Sequence, residues 1–291
     1  MIRRQTKMQN TSLLSFMKER FLSKKVDTVI FAVVVAFFLG SGVYFACVRQ
    51  IRDALLCLLF AFTPLLVPVL EKLLHLTFPT LFLVAIFFIP VGNMLGCGFD
   101  FYTIIPPFDT ILHTVSGFVF ACLGFGLFTK LVDGPNERKN FYACLLFGFA
   151  FSMTIALLWE LFEYGCSLVG PVDMQEDTII DGFMSYLLAG THSAGVVVQD
   201  ITQTVITFGD GQTLVIDGYL DIGLIDTMVD VFVCLVGATV YCVVLGIAES
   251  KCKKLSALFL PVTRKAEVPV TDDASYASCP TEQHFEPTFA P

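Results

Sequence analysis

Six apolar blocks, each close to the length of a bilayer-spanning helix, constrain this chain more than any other feature. They cover residues 28–48, 54–70, 77–96, 106–128, 141–165 and 226–248. A helix needs roughly 17 to 25 mostly apolar residues to cross a hydrocarbon core about 30 Å thick. Only 15% of the residues are charged, whereas a soluble domain carries about 25%. The sequence therefore predicts an all-α integral membrane protein with about six transmembrane helices, the second of them kinked at Pro64 and Pro68.

The segments outside these blocks divide the chain into a membrane domain and two tails. Residues 1–26 form a basic tail, predicted to be cytoplasmic, in which 11–22 have the pattern of a short amphipathic helix on the membrane surface. Residues 27–250 are predicted to form the six-helix membrane domain. Residues 251–291 are predicted to form a cytoplasmic and largely disordered tail, because beyond the first few residues they are polar and rich in proline.

One sizeable polar loop, residues 166–223, interrupts the membrane domain. Within it, residues 173–190 have the composition of a short surface helix. Residues 204–208 and 212–216 are β-prone and flank a Gly-Asp-Gly turn, which is typical of a β-hairpin. The sequence therefore predicts an external loop that carries a small β-hairpin.

The distribution of Lys and Arg predicts the orientation through the positive-inside rule. No basic residue occurs from residue 140 to residue 250, although thirteen acidic residues do. Six helices with both termini in the cytoplasm place this region's 166–223 loop outside and leave only Arg49 and Arg52 on the unexpected side. Counting residues 179–198 as a seventh helix would move the last basic cluster outside. The predicted location is a bacterial cytoplasmic membrane.

Composition and motifs exclude several function classes. The net charge of −8 and the acidic bias argue against nucleic acid as a partner. Membrane lipids are the expected partners, and the sequence identifies no protein partner. The ten cysteines contain no CxxC pair and no metal-type spacing. There is no catalytic triad order, phosphate loop, HExxH or haem motif.

Ionisable residues inside the apolar blocks are the first candidates for function, since each costs roughly 2.5–3.5 kcal/mol to insert. The fourth, fifth and sixth helices each carry two of them, spaced so that both lie on one helical face. The pairs are Asp109 with His113, Glu160 with Glu163, and Asp226 with Asp230. Because the fourth and sixth helices run inward and the fifth outward, the pairs lie at matching depths. We expect them to converge in one outward-facing pocket beside the 166–223 loop.

A divalent metal is the cofactor that these side chains fit best. Five carboxylates and one imidazole cannot all stay ionised together without a cation or shared protons. Oxygen-rich ligands with one imidazole suit Mn, Mg, Zn or non-haem Fe. The predicted metal ligands are His113, Glu160, Glu163, Asp226 and Asp230. The predicted catalytic residues are Glu160 and Asp230, and Asp109 is a further pocket residue.

Each of these residues also has a structural interpretation. Asp109 and Asp226 stand at helix starts, where N-capping is common. Glu163 is close enough to the interface to be solvated, and a lone histidine such as His113 is often a hydrogen-bonded packing residue. Glu160 and the second acid of the sixth helix lie deeper, where solvation is harder. We therefore expect these two to be close together and mostly buried.

Three motifs on these helices follow one another in a defined order and spacing. They are D-x-x-x-H-x-x-x-G (Asp109, His113, Gly117), W-E-x-x-E (Trp159, Glu160, Glu163), and D-T-x-x-D followed by G-A (Asp226, Thr227, Asp230, Gly237, Ala238). Over about residues 101–248, roughly half of the chain, the sequence resembles the YjdF-like family of bacterial inner-membrane proteins. The first motif is more distantly similar to VanZ-like membrane proteins. The resemblance implies a membrane location and a shared acidic site, but no established reaction.

Three classes of function fit these observations. The first is a metal-dependent enzyme that acts at the outer leaflet on a lipid or lipid-linked envelope substrate. The second is a proton- or cation-coupled small transporter. The third is a non-catalytic membrane component whose acidic residues fix helix packing. Residues 118–128, 141–157 and 231–248 contain no acid, base or amide, and there is no inverted repeat. A polar path that ends halfway favours the enzyme.

Overall fold

The computed structural model describes residues 12–129, 131–132, 138–170, 173–251, 260 and 262–263, and they are mainly helical. The helices are α1 (Leu13–Ser23), α2 (Lys25–Cys47), α3 (Ile51–Phe60), α4 (Thr63–Leu73), α5 (Thr80–Asn93) continued by a π-helix (Met94–Gly98), α6 (Phe101–Ile104), α7 (Phe108–Phe128), α8 (Arg138–Val169), α9 (Tyr186–Ala189) and α10 (Leu224–Lys251). Six segments within this part of the chain are long and apolar enough to cross a membrane. They are α2, α3 with α4, α5 with its π-helix, α7, α8 and α10. The predicted class, an all-α multi-pass membrane protein, is confirmed.

The second span breaks where its two prolines predict a kink. α3 ends at Phe60, and α4 begins at Thr63. Pro64 lies in the first turn of α4, where a helix needs no backbone N–H donor. Pro68 lies inside α4 and removes one hydrogen bond from it.

The N-terminal helix α1 is present, and it buries a charged side chain that the sequence analysis had not singled out. Arg20 Nη2 lies 2.7 Å from Asp27 Oδ2, and Arg20 Nε lies 2.7 Å from Glu71 Oε2. These three side chains are at most 2% exposed. The Phe78 N–H donates to Glu71 Oε1 at 3.0 Å, and the Thr80 hydroxyl donates to Asp27 Oδ1 at 2.6 Å. This network joins α1, α2 and α4 at one end of the bundle.

Helices α7, α8 and α10 make the most extensive helix–helix contacts among the described residues. Gly117 on α7 lies against the α10 backbone, and a Cβ atom there would overlap the carbonyl oxygen of Cys234. Gly237 on α10 lies equally close to the α7 backbone. The Ser152 hydroxyl of α8 donates to the Gly117 carbonyl oxygen at 2.7 Å. Small residues of this kind allow membrane helices to approach closely, and here they fix the relative depth of the polar residues on α7 and α10.

The long loop is mostly extended, which corrects part of the sequence analysis. The strands are β1 (Leu76–Thr77), β2 (Ile179–Ile180), β3 (Phe183–Ser185), β4 (Val196–Val198), β5 (Thr204–Thr207), β6 (Thr213–Ile216), β7 (Tyr219–Leu220) and β8 (Val262–Thr263). The surface helix predicted over residues 173–190 is wrong, because only Tyr186–Ala189 is helical. β3 pairs instead with β4, whose three valines favour a strand.

The predicted hairpin is confirmed. β5 pairs antiparallel with β6, with Val205 opposite Val215 and Ile206 opposite Leu214. Gly211 in the turn has a φ of 88°, a conformation that glycine adopts without steric cost.

Asp221 fastens this loop to the start of α10. Its carboxylate accepts hydrogen bonds from the backbone N–H groups of Thr178 (2.7 Å), Ile225 (2.8 Å) and Gly223 (3.4 Å). Burial alone would raise the pKa of Asp221, but the backbone donors outweigh it and lower the pKa below its ordinary value. The ionised form therefore holds the loop against the helix.

The chain returns to the bundle after α10, where β8 pairs antiparallel with β1. Most of the predicted disordered tail, residues 252–259, 261 and 264–291, lies outside the described residues. The same is true of residues 1–11 in the basic tail.

Candidate functional site

Helix starts and ends bring the predicted site residues to one end of the bundle. Asp109 lies in the first turn of α7, and Asp226 lies in the first turn of α10. Pro107 occupies the N-cap position of α7, and α10 begins two residues before Asp226. Neither aspartate is therefore an N-cap, although a carboxylate in a first turn interacts favourably with the helix dipole. His113 and Asp230 follow one turn deeper on the same helices.

The structure brings five of the six predicted residues into contact, and we call them the acid–histidine cluster. They are Asp109, His113, Glu160, Glu163 and Asp230. His113 Nε2 lies 3.5 Å from Asp230 Oδ2 and 3.6 Å from Asp109 Oδ1, while its Nδ1 lies 4.0 Å from Glu160 Oε1. The expected convergence of helices α7, α8 and α10 on these side chains is confirmed.

The cluster contains two overlapping groups of possible metal ligands. Asp109, His113 and Asp230 form one group, and Glu160, Glu163 and Asp230 form the other. Within each group, one ligand atom from each residue lies within 4.8 Å of the others. Asp230 belongs to both groups.

Glu160 is the most isolated acid of the cluster. Its side chain is 5% exposed, and neither carboxylate oxygen has a hydrogen-bond partner among the described residues. The Thr227 hydroxyl faces this carboxylate, but it falls outside hydrogen-bond geometry. A buried carboxylate without a partner is costly, so the position calls for a proton or a bound cation. Asp230 is 2% exposed, and the expectation that these two acids are close and buried is confirmed.

Glu163 is held in place by its neighbour one turn earlier. The Trp159 indole N–H donates to Glu163 Oε1 at 2.7 Å, while the indole itself is 40% exposed. This bond engages one of the two carboxylate oxygens of Glu163. Trp159 is the single tryptophan of the chain, and it therefore reports directly on this site.

Asp226 lies at the edge of the site and outside both ligand groups. Its Oδ2 accepts a hydrogen bond from the backbone N–H of Glu176, in the long loop, at 2.9 Å. The neighbouring Thr227 hydroxyl accepts from Gln175 Nε2 at 2.6 Å. The assignment of Asp226 as a metal ligand stays a prediction, and its observed contacts join the loop to α10.

Two cavities meet at the cluster. The larger, of about 900 Å³, lies beside the loop, and Asp173, Met174 and Glu176 form part of its wall. The smaller, of about 280 Å³, runs along the apolar parts of α5, α7 and α8. The residues that line both are Asn93, Tyr102, Asp109, Trp159 and Glu163. Asp230 lines the larger cavity and His113 the smaller, whereas Glu160 lines neither.

Three residues of the cavity walls were missed as site residues by sequence reasoning. Asn93 is the last residue of α5, inside the third span, and Tyr102 lies in α6 just after that span. Asn93 Nδ2 donates to the Tyr102 hydroxyl at 3.5 Å. Burial, together with the charge of Asp109, raises the pKa of Tyr102 well above its ordinary value, so the phenol stays neutral. Arg52 lines the larger cavity. Only Arg52 left a signal in the sequence, as an exception to the positive-inside rule.

The comparisons with known proteins identify a family. Residues 26–251 match the family model described as "Predicted membrane protein (DUF2238)". This match covers all six spans and every residue of the acid–histidine cluster. No curated protein and no solved structure matches the chain. The chain therefore belongs to the YjdF-like family of membrane proteins, which is DUF2238.

Proposed function

We propose that the chain is a metal-dependent enzyme that acts on a lipid or lipid-linked envelope substrate. It acts from the outer side of a bacterial cytoplasmic membrane, and both of its termini are cytoplasmic. The observation that carries the proposal is the pair of ligand groups that share Asp230 at the junction of two cavities. One cavity is rich in acids and borders the loop, and the other is apolar.

The charge of the cluster supports a bound cation. Four carboxylates meet one imidazole, and no Lys or Arg occurs from residue 140 to residue 250 to balance them. The buried Glu160 carboxylate has no hydrogen-bond partner. Oxygen ligands bind Zn²⁺ or Mg²⁺ at roughly 2.0–2.2 Å, so two ligands on opposite sides of one ion lie up to about 4.4 Å apart. A spread of 4.8 Å needs only small side-chain movements to close on such an ion.

The cavity that each acid lines indicates its role. Glu160 lines neither cavity, which favours a role as metal ligand. Asp230 lines the larger cavity, so it can meet a substrate as well as an ion. A bound metal would activate water or polarise a phosphoryl or acyl oxygen. Asp230 or Glu163 would then take the proton as general base.

The smaller cavity supports a substrate with an apolar part. It extends from His113 and Asp109 past Phe120, Ile155 and Leu158, all on membrane-spanning helices. An apolar chain that enters it would place the polar group to which it is attached beside the cluster. A soluble polar substrate would leave this cavity unused.

A transporter needs a polar path that continues beyond the cluster. Residues 118–128 of α7, 141–157 of α8 and 231–248 of α10, which lie farther from the loop than the cluster does, contain no acid, base or amide. The cavities therefore support a pocket better than a conduit.

Metal analysis of the purified full-length protein tests the proposal. The protein in dodecyl maltoside is stripped with EDTA, offered Mn²⁺, Mg²⁺, Zn²⁺ or Fe²⁺ separately, desalted and analysed for bound metal. We expect wild type to retain one of these ions. Glu160→Gln and Asp230→Asn should each bind it about tenfold or more weakly. Glu249→Gln, an exposed acid on α10 at the other end of the helix, is the matched control and should behave as wild type.

Three outcomes count against this function. If wild type retains none of these ions, the proposed metal site is refuted. It is also refuted if Glu160→Gln retains metal as well as wild type does. Uptake of the same ion into proteoliposomes that contain wild type, but not Glu160→Gln, would favour the transporter.

A further inference from the structure

We infer that Arg52 binds a phosphate group of the substrate, so that the substrate class is a phosphate-bearing lipid. The inference deepens the proposed function and rests on it. Arg52 is the only basic side chain among the described residues that line the larger cavity. The acids that line it are Asp53, Asp109, Glu163, Asp173, Glu176, Asp226 and Asp230.

The position of Arg52 is specific. α8, α10 and the loop between them supply most of the cavity wall, yet no Lys or Arg occurs from residue 140 to residue 250. The single cation comes instead from α3, on another part of the bundle. Arg49, only three residues earlier, does not line the cavity.

The Arg52 guanidinium is oriented by one hydrogen bond that engages only its Nε. Arg52 Nε donates to Asp53 Oδ1 at 2.9 Å. The Asp53 side chain is 11% exposed and the Arg52 side chain 63% exposed. Neither terminal nitrogen of Arg52 bonds to any residue that the structure describes. A guanidinium held through Nε presents its two terminal nitrogens as a fork, which matches two oxygens of a phosphate.

The same charge pattern discriminates among substrate classes. A cationic headgroup would be attracted by the acids but repelled by Arg52, the one basic side chain among the described lining residues. A neutral sugar would gain little from a guanidinium fork. A phosphate is stabilised by cations and N–H donors, and in this cavity those would be a metal bound at the cluster and the Arg52 guanidinium. The cluster without metal repels an anion, so phosphate binding should require the ion.

Phosphate can reach the site from a lipid headgroup or from a soluble ester. The smaller apolar cavity, which shares five lining residues with the larger one, favours the lipid. An acyl chain along Phe120 and Ile155 would leave its phosphate between the cluster and Arg52.

Trp159 makes the test site-specific, since it is the only tryptophan and lines both cavities. Its fluorescence is followed in full-length protein in dodecyl maltoside, loaded with the ion that wild type retains. The probes are dioctanoyl phosphatidic acid, dioctanoylglycerol and glycerol 3-phosphate. Wild type should bind the phosphatidic acid at least about tenfold more tightly than either of the others, as a charge-assisted bidentate contact implies.

The variants separate the role of Arg52 from general charge. Arg52→Gln should weaken binding of phosphatidic acid about tenfold or more. Arg52→Lys should give an intermediate loss, because it keeps the charge and loses the fork. Arg49→Gln is the matched control and should bind as wild type. All variants should retain the metal as wild type does, which shows that the cluster is intact.

The results that overturn the inference are distinct from those that overturn the metal site. Equal binding by Arg52→Gln and Arg49→Gln, in protein that holds its metal, refutes the role of Arg52 alone. Equal affinity for dioctanoylglycerol refutes the phosphate. Glycerol 3-phosphate that binds as tightly as the lipid refutes the lipid and leaves a soluble phosphate ester as the ligand. Failure of wild type to retain any ion refutes the proposed function, on which the inference rests.

Discussion

Arg20→Met should lower the free energy of unfolding by about 3 kcal/mol, because Arg20 alone joins two buried acids. Breaking a buried ion pair by removing one partner costs about 3–5 kcal/mol. Asp27 and Glu71 are 1% and 0% exposed, so water cannot replace the lost guanidinium. We expect the lower end of the range. Lys24 Nζ lies 3.6 Å from Asp27 Oδ2, and Glu71 keeps the hydrogen bond from the Phe78 N–H.

Glu71→Gln is the informative companion variant, since it leaves the Arg20–Asp27 pair and an acceptor for Phe78 in place. Its cost should be smaller, about 1.5–2 kcal/mol for one charge-assisted hydrogen bond. Lys18→Met on the exposed face of α1 should change stability by less than about 0.5 kcal/mol. Unfolding is measured by adding SDS to protein in mixed micelles and following far-UV circular dichroism. An Arg20→Met variant as stable as Lys18→Met, or more stable than Glu71→Gln, would refute the reasoning.

Three further predictions concern helix packing, pH and orientation. Gly117→Val should push α7 away from Cys234 and reduce metal retention about tenfold or more. Gly165→Val, where added atoms meet open space, should leave metal retention unchanged. The amount of metal bound after desalting checks both variants. The lowered pKa of Asp221 means that its stabilising contribution is present above its ordinary pKa of 3.8 and is lost as pH falls through the lower folded value. Amide exchange at Thr178, corrected for intrinsic rates, should therefore show constant protection from neutral pH to about pH 5 and lose it only in stronger acid. In a cysteine-free background, Asp210→Cys should react with an impermeant thiol reagent in intact cells, and Leu131→Cys should not. The reverse result would invert the proposed orientation.

The parts of the structure that the sequence predicted depend on local periodicity. Asp109 and His113 share a helical face because they are four residues apart, and the pairs on α8 and α10 do so at spacings of three and four residues. Alternating helix directions, predicted from the count of six spans and the positive-inside rule, then set equal depths. The hairpin of β5 and β6 is similarly local, because a three-residue turn fixes which residues pair.

The parts that were missed or wrong depend on partners distant in sequence. Arg20 and Glu71 are separated by 51 residues, and no spacing rule links them. β2 pairs with β7 across the whole loop, Ile179 opposite Leu220, so residues 173–190 look like an independent helix until their partners are known. The proposed role of Arg52 depends on both the sequence and the fold. The positive-inside rule singles out Arg49 and Arg52 equally, and only the fold shows that Arg52 lines the cavity.

Two buried ionic groups among the described residues, the Arg20 network and the acid–histidine cluster, differ in a way that bears on function. In the Arg20 network each carboxylate has a guanidinium nitrogen at 2.7 Å and a further hydrogen-bond donor, so the charges compensate one another within the chain. In the acid–histidine cluster the only basic side chain is an imidazole, and Glu160 has no hydrogen-bond donor. Burying a carboxylate is tolerated when a cation or donors offset the lost hydration, and for Glu160 the described residues supply no hydrogen-bond donor. An ionic group that only stabilises helix packing would be expected to resemble the Arg20 network. The acid–histidine cluster borders two cavities, and protons or a cation bound from outside the chain would give it a comparable electrostatic balance.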